Sequence, residues 1–144
     1  TLVIVSGYFS PLHCGHLDYI EAGAALGDRL AVIVNNNGQQ LDKKGKLILD
    51  EKDRLRIVRA LRVVDEAMIA VDADASVSRS LEQLVRAHDG YRLVFGHGGD
   101  RNSGALVPET DVCDRYGIEM VFDLGGDSKR DSSTRINQEL GIED

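Results

Sequence analysis

The sequence predicts an α/β fold of three layers, in which a five-stranded parallel sheet carries helices on both faces. Three observations predict it: five short apolar runs, stretches of helical period between them, and Gly, Ser and Pro at the junctions. The runs are continuously apolar rather than alternating. That is the mark of strands buried on both faces, and hence of a parallel sheet.

The first run, 2–6, holds Leu2-Val3-Ile4-Val5; it is too short for a signal-peptide core, has no basic flank, and reads as a buried strand. Residues 16–26 then place Leu17, Ile20, Ala24 and Leu26 at helical spacing, with Gly27 as the stop. The second strand, 29–35, runs into a loop rich in Asn and Gln. Residues 51–62 set Leu55, Ile57, Val58 and Leu61 on a broad apolar stripe and lead to a third strand at 67–71. Ser78 or Ser76 is placed to cap a helix carrying Leu81, Leu84 and Val85, and the fourth strand follows at 91–96. Pro108 suits the first turn of a helix that Gly117 ends, before a fifth strand at 118–123. Ser132 is placed to cap a last helix with Ile136 and Leu140 facing inward. The repeated strand–helix order is Rossmann-like. In such sheets ligands bind outside the carboxyl ends of the strands, so the loops after strands 1, 2, 4 and 5 are where chemistry belongs.

At 144 residues the chain reads as one domain, 1–144, and its start at Thr1 rather than Met is compatible with excision from a longer chain. A formal charge of −7 argues against a duplex nucleic-acid binder, which needs a basic surface. No apolar run approaches the roughly 20 residues that span a bilayer. Local cation clusters, Lys43-Lys44 with Lys46 and Lys129-Arg130, suit a small anionic ligand. Cys14 and Cys113 have no ligand-type spacing and read as free thiols in a reducing cytoplasm.

The loop after the first strand reads Gly7-Tyr8-Phe9-Ser10-Pro11-Leu12-His13-Cys14-Gly15-His16. Two histidines three apart straddle the start of a helix, where free N–H groups and a partial positive charge face outward. Gly15 admits a phosphate close to the backbone, and His13 and His16 add donors from the same direction. The pattern is an anion clamp able to follow charge building on phosphorus. A zinc half-site would need further ligands, and the Gly-x-Gly-x-x-Gly of a dinucleotide site is absent.

His13-Cys14-Gly15-His16 resembles the HxGH signature of the cytidylyltransferase-like nucleotidyltransferases, and Gly7-Tyr8-Phe9-Ser10-Pro11-Leu12 resembles that family's Gly-x-Phe-Asp-x-Leu segment, departing at Ser10 and Pro11. The likeness extends downstream in the right order. Lys46 lies eight residues before Arg54, in a spacing similar to that of the small cytidylyltransferases, where a loop lysine reaches the nucleotide phosphates. Arg62 before Val63-Val64-Asp65-Glu66 resembles an Arg-x-Val-Asp-Glu segment and would contact a phosphate. Gly98-Gly99-Asp100-Arg101 resembles a Gly-Gly-Asp segment beside the nucleotide, whereas His97 reads as a loop histidine without a role. Ser132-Ser133-Thr134 resembles the hydroxyls of an Ile-Ser-Thr-Thr motif. Asp127 stands where that motif carries arginine, leaving Lys129 or Arg130 to substitute.

The resemblance implies nucleotidyl transfer: an acceptor phosphate or phosphonate oxygen attacks the α-phosphorus of an NTP and expels pyrophosphate. That oxygen is already ionised near neutral pH, so positioning and charge stabilisation would suffice without a general base. His13, His16 and Lys46 would be catalytic. Gly7, Tyr8, Phe9, Gly15, Arg62, Gly98, Asp100, Arg101, Lys129, Arg130 and Ser132 to Thr134 would bind nucleotide. Ser10, Asn35 and Asn37 would meet a small acceptor resembling glycerol 3-phosphate or 2-hydroxyethylphosphonate. Mg²⁺ would bridge phosphate oxygens, bound mainly through the substrates and taking few protein ligands. CTP is favoured over ATP as donor; a sugar-phosphate adenylyltransferase and a non-catalytic nucleotide sensor are the rivals. The family implies a homodimer.

Overall fold

A computed structural model of the chain describes residues 1–45, 49–98 and 107–125, and the observations below concern these. Strands β1 (Leu2–Gly7), β2 (Arg29–Val34), β3 (Glu66–Ile69), β4 (Leu93–Gly96) and β5 (Glu119–Val121) alternate with helices α1 (Cys14–Ala24), α2 (Asn37–Lys44), α3 (Glu51–Arg59), α4 (Ser78–Ala87) and α5 (Thr110–Tyr116), with α2 and α3 both lying between β2 and β3. The strands form one sheet in the order β3-β2-β1-β4-β5, every neighbouring pair parallel. The chain winds outward from β1 through β2 to β3, then returns to β1's other side for β4. The strand order therefore reverses at β1 and β4, and the crevice outside their carboxyl ends is the binding position of this architecture.

The side-chain period of 2 divides the strands between two cores. Leu2, Ile4, Ala31, Ile33, Leu93 and Phe95 pack with Leu81 and Leu84 of α4 and Val112 and Cys113 of α5. Val3, Val5, Leu30, Val32, Val34 and Val94 pack with Tyr19 and Ile20 of α1 and Val58 of α3. Both faces are thus covered, as the continuous apolar runs require. No helix among the described residues is long and apolar enough to cross a membrane.

Helix α2 replaces the expected Asn- and Gln-rich loop. Asn36 caps it reciprocally with Gln39: the Asn36 side chain accepts from the Gln39 amide at 2.9 Å, and Gln39 Oε1 accepts from the Asn36 amide at 2.9 Å. Gly45 ends it in the left-handed region at φ 74°. The residues that α2 buries are polar, Gln39 at 2% and Gln40 at 0% exposure, so apolar periodicity has nothing to detect. Gln39 Nε2 donates to the carbonyls of Asp74 and Ser76, docking the helix on the segment before α4.

Helix α4 also differs at its start. Its N-cap is Val77, with no capping side chain of its own. The buried Asp72 carboxylate accepts from the Arg79 and Ser80 amides and the Ser80 hydroxyl, while Glu109 Oε2 accepts from the Val77 amide at 3.0 Å. Of the two expected serines, Ser76 contributes one bond, its Oγ accepting from the Ser78 amide at 3.3 Å. Acids from neighbouring loops do the work of a local cap, which a local sequence signature cannot reveal.

Burial raises the Glu109 carboxyl above its ordinary pKa of 4.5, against the opposing Val77 amide hydrogen bond. A raised folded-state pKa means the folded protein holds this proton more tightly than the unfolded chain. The associated stability is present below the unfolded value and is lost as pH rises through the folded one. Glu109→Gln should therefore gain stability relative to wild type between pH 4.5 and neutrality, and denaturant titrations at the two pH values measure the difference.

Candidate active site

The loop from Gly7 to His13 leaves β1 at the strand-order reversal and folds back over its own first residue. Phe9 takes φ 52° and is 2% exposed. Its ring lies over Gly7 so closely that a Cβ there would sit 2.8 Å from Phe9 Cζ. Gly7 is thus required by packing, because only a bare Cα admits the ring. The same ring meets His16 edge-on, with centroids 5.1 Å apart at 82°.

His13 and His16 cap α1 reciprocally. His13 Nδ1 accepts from the Gly15 amide at 3.0 Å, and His16 Nδ1 accepts from the His13 amide at 3.2 Å. This is the geometry of a capping box built from imidazoles instead of Ser and Glu. The rings stack with centroids 3.8 Å apart at 22°. An amide is only a donor, so each Nδ1 must present its lone pair, which leaves the proton of each neutral ring on Nε2. The motif thereby selects the tautomer that donates from Nε2. The stacked rings stand at the amino end of α1, where the helix dipole favours an anion.

Tyr19, one turn beyond His16, anchors this helix to the sheet. Its buried hydroxyl donates to the Gly96 carbonyl at 2.8 Å and accepts from the Ser6 amide at 3.2 Å, joining α1 to the carboxyl ends of β1 and β4. Burial pushes the Tyr19 phenol upward, so it stays a donor. Leu124 closes on Gly96, and Gly125, at φ 86°, lies against the Tyr19 backbone.

The other flank, toward β2, is organised by Arg54 of α3, which is 0% exposed. Its Nη1 donates to the Tyr8 carbonyl at 3.0 Å and the Asn35 carbonyl at 2.6 Å, its Nε to the Leu49 carbonyl at 3.0 Å, and its Nη2 to Asn37 Oδ1 at 3.1 Å. One guanidinium therefore ties the loop after β1, the end of β2, the start of α2 and the approach to α3. Burial pulls its pKa down, while Glu51 and Asp50 oppose that shift.

These bonds settle where several sequence-derived candidates stand. Asn35, 5% exposed, donates from Nδ2 to Gln39 Oε1. Asn37 binds Glu51 through both backbone and side chain, Asp50 through Nδ2, and Arg54. Both asparagines expected to meet the acceptor are thus engaged in holding α2, α3 and Arg54 together. Ser10, 1% exposed, accepts from Gln40 Nε2 at 3.0 Å. Arg62, expected on a phosphate, lies exposed in the α3–β3 connection; nearby Asp65 accepts from Leu30 at the amino end of β2, so this segment occupies the sheet edge opposite His13 and His16. The chain does not bring Arg62 to the site. Gly98 lies just past β4, beside the crevice. Lys46, Asp100, Arg101, Lys129, Arg130, Ser132, Ser133 and Thr134 fall outside the described residues.

Sequence reasoning missed Tyr19, Gln40 and the organising role of Arg54. A helical tyrosine or a charge on an amphipathic helix ordinarily reads as packing or solvated surface, and only the fold shows them joining loops distant in sequence.

Comparison with known proteins agrees with this fold. A family model described as cytidylyltransferase-like matches residues 4–141. An FAD synthase of Natrialba magadii is 35% identical over 139 residues, covering 93% of this chain and 87% of that one. An FAD synthase of Halorhabdus utahensis is 32% identical over 121 residues, covering 84% and 78%. The crystal structure of the lipopolysaccharide core biosynthesis protein from Thermoplasma volcanium GSS1 shares the fold, with a TM-score of 0.64 and 24% identity over 84% of this chain and 93% of that one.

Two outcomes follow from the site's construction. Arg54→Met would strand buried carbonyls, each costing about 1–3 kcal/mol when unpaired, and should lower stability by at least about 3 kcal/mol in urea unfolding. Cys14 is exposed between the two histidines, whereas burial pushes the Cys113 thiol up to about 12. A thiol reagent at neutral pH should label Cys14 in the folded protein and Cys113 only after unfolding, read by mass spectrometry of the peptides.

Proposed function

Since the chain belongs to the cytidylyltransferase-like family, we propose that it transfers a nucleoside monophosphate from an NTP to a phosphorylated acceptor and releases pyrophosphate. The observation that carries this reading is the reciprocal cap of His13 and His16, which fixes both imidazoles at the amino end of α1, the end of a helix that favours an anion. An acceptor oxygen would form its bond to the α-phosphorus as the bond to the bridging oxygen of pyrophosphate breaks. Negative charge grows on the α-phosphoryl oxygens and the departing pyrophosphate, and donors held in place stabilise it without reorganising. Because each Nδ1 is occupied by a backbone amide, neither ring can turn away without uncapping the helix.

For the donor nucleotide, relatives named FAD synthase support ATP over the CTP expected from the motifs, and with it FMN as the first acceptor to test. Glycerol 3-phosphate, 2-hydroxyethylphosphonate and a heptose phosphate follow. Mg²⁺ accompanies the nucleotide in this proposal and supplies charge neutralisation on its phosphates. The loop offers N–H and O–H donors suited to phosphate oxygens. Among the described residues no three His, Cys, Asp or Glu side chains converge on a metal position. The ion would be held through the phosphates.

Pyrophosphate release, measured for ATP and CTP against each of the four acceptors, tests the reading. His16→Ala should lower kcat by about 100-fold or more, the scale of one oxyanion donor. Nucleotide binding with no pyrophosphate released from any pair would make the chain a sensor instead. Near-normal turnover in His16→Ala would remove the histidines from the mechanism.

A further inference from the structure

Strands β1 and β4 meet where the strand order reverses, and their ladder stops short of their carboxyl ends. The register pairs Leu2 with Leu93, Val3 with Val94 and Ile4 with Phe95, and goes no further. At the amino end of this ladder the Leu2 amide donates to the Arg92 carbonyl at 2.8 Å. In a parallel pair the bonds are evenly spaced, and one strand donates through every second residue. Continued from Leu2, the series runs through Ile4 to Ser6, whose amide would meet the Gly96 carbonyl.

That last bond is missing. The pair it would add, Val5 with Gly96, is absent from the register. Both groups bond the Tyr19 hydroxyl instead, which accepts from the Ser6 amide at 3.2 Å and donates to the Gly96 carbonyl at 2.8 Å. A phenol from α1 thus occupies the place of a ladder bond, and the strands pass on either side of its oxygen. Joined directly, the two groups would lie about 2.9 Å apart, an approach that an intervening oxygen forbids.

The hydroxyl is itself held in place. Tyr19 is buried in the core that contains Val3, Val5 and Val94. Leu124 closes on Gly96 so tightly that no Cβ would fit there, and a Cβ at Gly125 would stand 3.2 Å from the Tyr19 nitrogen. Burial keeps the phenol protonated, so it retains the donor that Gly96 needs. Past the gap, β1 leads to the loop that carries the histidines and β4 to His97 and Gly98. The crevice of this architecture opens between these two diverging segments.

We propose that the Tyr19 hydroxyl is a spacer that holds β1 and β4 apart at their carboxyl ends, and that Tyr19 is thereby a positioning residue, setting His13 and His16 against the nucleoside triphosphate bound in the crevice. The kinetic half of this inference rests on the nucleotidyl-transfer reading; the spacer does not.

NMR of the isotope-labelled protein tests the spacer, through the coupling that passes across a direct hydrogen bond from amide nitrogen to carbonyl carbon. Wild type should show it between Leu2 and Arg92 and not between Ser6 and Gly96. Tyr19→Phe keeps the ring and removes the oxygen, so the Ser6–Gly96 coupling should appear as the strands close. Initial rates of pyrophosphate release, taken well below the variant's Tm, test the positioning. Tyr19→Phe should lower kcat about 10- to 100-fold, the cost of a displacement on the order of 1 Å. Its Kd for ATP or CTP by calorimetry should change less than about threefold, under 1 kcal/mol. In a His16→Ala background the same substitution should cost less than about threefold in kcat, because Tyr19 acts through the histidines. A merely structural tyrosine would lower Tm and leave these kinetic differences unmoved.

The proposal is overturned by a Ser6–Gly96 coupling in wild type, by its absence from folded Tyr19→Phe, by a kcat that Tyr19→Phe leaves in place, by nucleotide affinity that falls as far as kcat, or by an undiminished loss in the His16→Ala background. If Tyr19→Phe does not fold, the wild-type coupling decides alone: its absence upholds the spacer and its presence removes it. Normal pyrophosphate release from Tyr19→Phe sinks only this inference. Wild type that releases none sinks the nucleotidyl-transfer reading, and the spacer then stands or falls on the NMR result.

Discussion

The buried guanidinium of Arg54 is the constraint from which the site's architecture follows. A fully buried arginine is costly unless its donors are met, and here they are met by carbonyls from three separate segments and by Asn37. Each carbonyl would otherwise be a strand-end or loop acceptor with nothing to pair with. The arrangement is therefore mutual. The loop after β1 and the end of β2 satisfy the arginine, and the arginine fixes their separation.

On the opposite flank, capping and chemistry use the same atoms. The first turn of any helix has amides that need acceptors. In α1 two imidazole Nδ1 atoms supply them. The two Nε2 donors that result are thus a by-product of helix stability. Phe9 wedges edge-on against His16, and its close approach to Gly7 explains why that position has no side chain. Tyr19 then transmits the position of α1 to the ends of β1 and β4 through one hydroxyl.

Family membership defines the reaction class, while the β2 flank holds what is particular to this chain. Ser10 is covered by Gln40, Asn35 and Asn37 are occupied in the Arg54 network, and Lys43 rests over Tyr8. The polar residues that look available in a linear reading have been spent on structure. Lys43 comes from a helix that a linear reading makes a loop.

The sequence by itself determined the layered α/β fold, the strand-by-strand order and the placement of His13 and His16 at a helix start. Burial of continuous apolar runs and the capping needs of a first turn are local requirements, written in neighbouring residues. Tertiary structure alone decided what polar side chains do when their partners are remote. It seated α2 on Gln39 and Gln40, capped α4 from Asp72 and Glu109, buried Arg54 beneath Tyr8, and left Arg62 at the sheet's far edge. A hydrogen bond between residues tens of positions apart leaves no periodicity to read, because distance along the chain carries no information about which donor will find which acceptor.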